Sequence, residues 1–116
     1  MAFPLCKLMD LTGPLKFPAT VALGVVRGNQ RFEAKRVTLT PNDEIEMTLF
    51  EFGNQDFIPF ENKSQLRLGM NAVGDGRDLG ETIINAEDAS QGETTTRFHP
   101  AGIGGPFYEL TYKVLP

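Results

Sequence analysis

The stretch Phe107-Tyr108-Glu109-Leu110-Thr111-Tyr112-Lys113-Val114-Leu115 decides the fold. Tyr108, Leu110, Tyr112 and Val114 fall on one side of an extended chain, and Glu109, Thr111 and Lys113 on the other, so the segment reads as a strand with one buried and one wet face. The same period of two recurs upstream, and nowhere does a 3.6-residue apolar stripe run for a helical length. Glu44–Phe52 repeats the pattern, with Ile45, Met47 and Leu49 on one face opposite Glu46 and Thr48, although Phe50 and Phe52 make the second face partly apolar as well.

Working outward, the runs Thr20–Arg27 and Arg31–Leu39 are separated by Gly28-Asn29, a pair suited to the positive φ values of a two-residue hairpin. Thr40-Pro41-Asn42-Asp43 reads as a type I turn, so three consecutive antiparallel strands are expected at the centre of the domain. Phe3–Met9, Phe57–Phe60, Ser64–Met70, Leu79–Asn85 and Glu93–Phe98, each bounded by turn residues, bring the expectation to eight or nine short strands. Strands at that spacing predict an all-β, antiparallel two-sheet sandwich, jelly-roll-like, with residues 1–116 as a single domain. The one helical signal is Asn85–Gly92, with Asn85 as N-cap and Gly92 as stop. Asp10–Pro18, punctuated by Gly13, Pro14 and Pro18, reads as an extended or edge segment, so residues 1–18 are expected to form an N-terminal arm. Its Leu11, Leu15 and Phe17 must be covered, either by the domain's own core or by a neighbour.

Composition narrows the function classes. With 41% hydrophobic and 22% charged residues the chain is ordinary globular material, and its opening residues predict neither a secretory signal nor a membrane span, so synthesis in the cytoplasm is expected. Cys6 is the sole cysteine, which rules out an internal disulfide and suits a small packed hydrophobe. The net charge of −4 is unevenly spread: residues 1–40 hold six basic and two acidic groups, and residues 41–93 hold three basic and twelve acidic ones. Folding either interleaves these segments or leaves a polarised surface for packing between subunits.

One histidine and one cysteine cannot assemble the common zinc constellations, and Ser64 and Ser90 sit in no nucleophile-elbow sequence. His99 reads as a loop residue, and neither enzymatic activity nor a cofactor is expected. Asp75, Asp78 and Glu81 on a glycine-rich loop offer the oxygen ligands Ca²⁺ would need, but the alternating pattern of an EF-hand is missing, Arg77 in their midst opposes a cation, and a solvated turn made with Asp75-Gly76 is the favoured reading. Arg27, Arg31, Lys35 and Arg36 with Phe32 are the best candidate face for nucleic acid, which the acidic net charge disfavours. Asn62-Lys63-Ser64 matches a glycosylation sequon that has no secretory context.

The prolines and apolar residues of Asp10–Pro18 ahead of a compact run of strands, with Phe107–Pro116 closing the chain on a strand, resemble the capsid cement or decoration proteins of tailed bacteriophages. The resemblance implies a structural virion protein that binds and stabilises a capsid shell by bridging neighbouring subunits. Its partners would be a major capsid protein or copies of itself, a homo-oligomer with no nucleic acid or membrane in the contact, and Leu11, Leu15 and Phe17 would anchor the arm. The alternative is a non-catalytic β module that takes a small ligand or Ca²⁺ where the Asp75–Glu81 and His99–Gly105 loops meet.

Overall fold

In the computed structural model, which describes residues 3–100 and 104–116, the chain forms ten strands and one short 3-10 helix. The strands are β1 (Leu5–Gly13), β2 (Thr20–Arg27), β3 (Gln30–Thr38), β4 (Thr40–Asn42), β5 (Met47–Glu51), β6 (Phe57–Pro59), β7 (Gln65–Ala72), β8 (Asp78–Asn85), β9 (Glu93–Phe98) and β10 (Tyr108–Leu115). All pairings are antiparallel and make two sheets, one ordered β4-β5-β1-β10-β9 with β6 also on β1, the other β3-β2-β7-β8. The chain changes sheet after β1, β3, β6 and β8, while the β2–β3, β7–β8 and β9–β10 hairpins stay within one sheet. The sheets pack face to face on alternating side chains, as the sequence pattern demands.

Two local readings carry over directly. On β10, Tyr108, Leu110, Tyr112 and Val114 are all buried and Lys113 faces water. At the first hairpin Arg27 pairs with Gln30 across Gly28-Asn29, and Gly28 takes φ 63°, a value open to glycine without a Cβ penalty. The helical signal becomes a 3-10 helix, Ala86–Ser90, with Asn85 at its N-cap position but making no side-chain cap bond. It is fastened to the first sheet by the Tyr112 hydroxyl, which donates to Asp88 at 2.8 Å.

The arm expectation is corrected over residues 5–13. Residues 5–13 form β1, which pairs with β10 on one side and with β5 and β6 on the other, and Leu11 is completely buried. Leu8 and Leu11 would face opposite ways in a regular strand, but a bulge between Leu8 and Asp10 turns both inward. Pro14 and Pro18 lie past the strand end, where a missing N–H takes nothing from the ladder.

Two further expectations fall. The three consecutive strands do not form one centre: β3 is a sheet edge, and Thr40–Asn42 is a short edge strand of the opposite sheet, with Pro41 tolerated because it lies on that edge. On β5 the buried face is that of Thr48, with Phe50 and Phe52 packed on the core in an edge-to-face pair at 4.9 Å. The two rings bury more apolar area than Met47 and Leu49 would, and the Thr48 hydroxyl is satisfied by donating to the Gly13 carbonyl at 3.0 Å.

The core holds three groups that dislike ionising. Burial pushes the Cys6 thiol up to about 12 and the Tyr108 phenol up to about 12, and it raises Tyr112 too, helped by Asp88. The unfolded chain releases these protons first, near the ordinary values of about 8.5 for Cys and about 10 for Tyr, so stability is complete below that range and is lost as pH rises through it. The urea midpoint is therefore expected to fall steadily between about pH 8 and pH 11. A flat midpoint across that range would contradict the burial of these groups.

Candidate functional site

The outer face of the β3-β2-β7-β8 sheet gathers most of the charged residues singled out above. Gly24 on β2 stands opposite Gly69 on β7, and Gly69 opposite Glu81 on β8, which leaves a shallow trough across the sheet. Arg31 lies along it. A Cβ on Gly69 would sit 2.2 Å from the Arg31 Nε, so only glycine admits this approach. The guanidinium crosses from β3 to donate to the Met70 carbonyl at 3.1 Å, Asn71 Oδ1 at 2.9 Å, Asp78 Oδ1 at 3.0 Å and Glu81 Oε2 at 3.0 Å. Arg67 adds a longer contact to Glu81 at 3.5 Å.

The basic and acidic segments are thus interleaved by folding. Arg27 pairs with Glu61, Arg31 with Asp78 and Glu81, Lys35 with Asp56 at 2.9 Å, and Arg36 with Glu33 at 2.8 Å. The Lys35 ammonium and the Gly53 N–H hold the Asp56 carboxyl below its ordinary value. For Asp78 the Gly80 N–H contributes most and Arg31 adds to it. Each cation of the expected basic face therefore has a carboxylate partner, and the Arg27 guanidinium also covers the Phe32 ring at 4.9 Å.

The same geometry disposes of the loop carboxylates. Asp78 and Glu81 turn onto Arg31, and Asp75 Oδ1 accepts from the Arg77 N–H at 2.9 Å to close its own turn. Among the described residues no group of three or more His, Cys, Asp or Glu side chains is placed to hold a metal ion. A recess of about 290 Å³ remains beside Arg31, floored by Ala22 and Gly24 and walled by Glu33, Arg36 and the Val73–Gly76 turn.

Elsewhere, the backbone of His99, just past β9, packs against Gly80 on β8, and residues 101–103 of the His99–Gly105 loop lie outside the described ones. The Asn62 side chain is committed to its own turn, with Oδ1 accepting from the Ser64 and Gln65 N–H groups. Among the described residues no helix is long and apolar enough to cross a membrane.

The three expected anchor residues separate. Leu11 is core, and Phe17 is half-buried with its ring 6.3 Å from that of Tyr108. Leu15 alone is presented outward, 53% exposed beside exposed Lys16. The turn that carries it is braced by the Phe17 N–H donating to the Pro14 carbonyl and by the Tyr108 hydroxyl donating to the Pro18 carbonyl.

Sequence reasoning missed a second surface, on the outer face of the other sheet. Pro59, Leu5 and Leu115 stand side by side across β6, β1 and β10, followed by the row Phe57, Lys7 and Lys113. The alternation of Leu5 and Lys7 about buried Cys6, within the expected strand Phe3–Met9, was a signal for it. No protein-family model matches the chain, and no curated protein matches it.

Proposed function

We propose that this chain is a structural protein of a virion shell, without catalytic activity, that docks on the shell protein and ties neighbouring subunits together. The observation that carries the reading is Leu15: a large apolar side chain held in water at the tip of a turn braced from beneath by Phe17 and Tyr108. An exposed leucine gains nothing for its own fold, whereas a rigid one loses little entropy on entering a partner's pocket. The apolar cluster around Leu5 lies at the opposite end of β1, about 26 Å away along a nine-residue strand. A bridging protein needs two such separated contacts, the Leu15 turn toward the shell protein and the Leu5 end toward a neighbouring copy, and the ion-paired face around Arg31 gives a polar surface that does not compete with them.

Purified particles from the native source are expected to contain the chain in fixed ratio to the shell protein, with lysine-directed cross-linking joining Lys16, next to Leu15, to that protein. Added Leu15→Asp chain should leave particles undecorated while keeping the wild-type melting temperature. Particles that lack the chain, or that take up Leu15→Asp as well as wild type, would overturn the reading.

A further inference from the structure

The outer face of the β4-β5-β1-β10-β9 sheet carries two like-charge pairs in neighbouring rows. Lys7 on β1 stands directly opposite Lys113 on β10, and Asp10 on β1 directly opposite Glu51 on β5. Like charges at such positions repel. Among the described residues none of the four has an ion-pair partner within 4.0 Å, and Glu93, across from Lys113 on β9, does not reach it at that distance. This contrasts with the other sheet, whose outward arginines are all matched. Partial burial disfavours the Asp10 anion, a hydrogen bond from Thr111 favours it, and Glu51, Glu93 and Glu109 nearby add to the repulsion, so its carboxyl stays above the ordinary value. Beyond the lysine row lie Pro59, Leu5 and Leu115, with Leu5 and Phe3 exposed.

We infer that this face is the contact surface for a second copy of the chain, packed face to face about a two-fold axis that runs across the strands between the lysine and carboxylate rows. That operation lays Lys7 of each copy over Asp10 of the other, with Lys113 over Thr111 next to Asp10 and Glu51 over Phe57 next to Lys7, so each lysine row faces the other copy's carboxylate row. It also carries Pro59 and Leu5 of one copy onto Leu49 and Thr12 of its mate, with Leu115 at the margin beside Glu109. The inference stands apart from the shell reading, because the isolated chain tests it with no particle present.

Sedimentation velocity on the full chain should show a dimer at low salt that dissociates toward about 1 M salt, where the screening length falls to about 3 Å. Lys7→Glu with Lys113→Glu makes both rows acidic, and Asp10→Lys with Glu51→Lys makes both basic. Each double variant alone should be monomeric, with dimer affinity reduced at least roughly tenfold, and an equimolar mixture of the two should form a heterodimer. All four positions face outward, and near-ultraviolet circular dichroism verifies the fold. A wild-type chain that stays monomeric at low salt, a dimer indifferent to both reversals, or folded variants whose mixture stays monomeric would each overturn it.

Discussion

Replacing Leu11 by Ala should cost about 2–5 kcal/mol of stability, whereas Leu15→Ala should change it by less than about 0.5 kcal/mol. The two residues are four apart and chemically identical, so the difference measures their surroundings. Leu11 is fully buried between the sheets, on a strand hydrogen-bonded along both edges, and its truncation leaves a cavity that β10 and β5 cannot close without breaking register. Leu15 touches mostly water. For a domain of this size the Leu11 variant should melt about 10–20 °C lower, while the Leu15 variant should melt with wild type. Binding to particles should show the reverse order: Leu15→Ala weakened, and Leu11→Ala intact at temperatures where it remains folded. Equal, small stability losses at both sites would mean that residues 5–13 are not a central strand. Deleting residues 1–18 is a poor substitute, since it removes the strand that joins β10 to β5 and β6.

The first half of β1 was legible, since Phe3–Met9 read as a strand, but its continuation through Asp10–Gly13 was not. Its alternation runs Cys6, Leu8 and then shifts phase to Leu11 because of the bulge at Met9, so a strict period of two breaks off in mid-strand. Two prolines and a glycine follow at once, and together these signals imitate the end of structure and the start of an arm. β10 has no bulge and its alternation is unbroken, so its buried face was legible residue by residue. β5 failed for another reason: both its faces are apolar, and the choice between them depends on Gly13, a partner far away in the chain whose carbonyl receives the Thr48 hydroxyl. The charge asymmetry was visible, but its resolution was not, because ion pairs such as Lys35 with Asp56 and Arg31 with Asp78 require knowing which strands are neighbours. Only sheet order shows that Gly24 and Gly69 are adjacent and make room for one side chain.

That side chain carries the second large expected effect. Arg31→Met should cost about 1–3 kcal/mol, since it keeps an apolar stem over Gly69 while removing the bonds to two carboxylates, one carbonyl and one amide oxygen. The figure is held down by Asp78 and Glu81, which are exposed enough for water to replace much of what they lose. Because the Asp78 carboxyl is held below its ordinary value in the fold, its share of stability is present above about pH 4 and is lost as pH falls through the folded value. The gap between wild type and Arg31→Met should accordingly be widest near neutral pH and narrow in acid. Gly69→Ala attacks the same bonds from beneath, as the new Cβ would occupy the path of the Arg31 Nε and lift the guanidinium off its partners. If the trough exists to seat Arg31, the two losses share one cause, and the double variant should be clearly less destabilised than their sum in urea unfolding. Strict additivity would mean that Arg31 and Gly69 contribute separately, and that the arginine does not stitch these strands together.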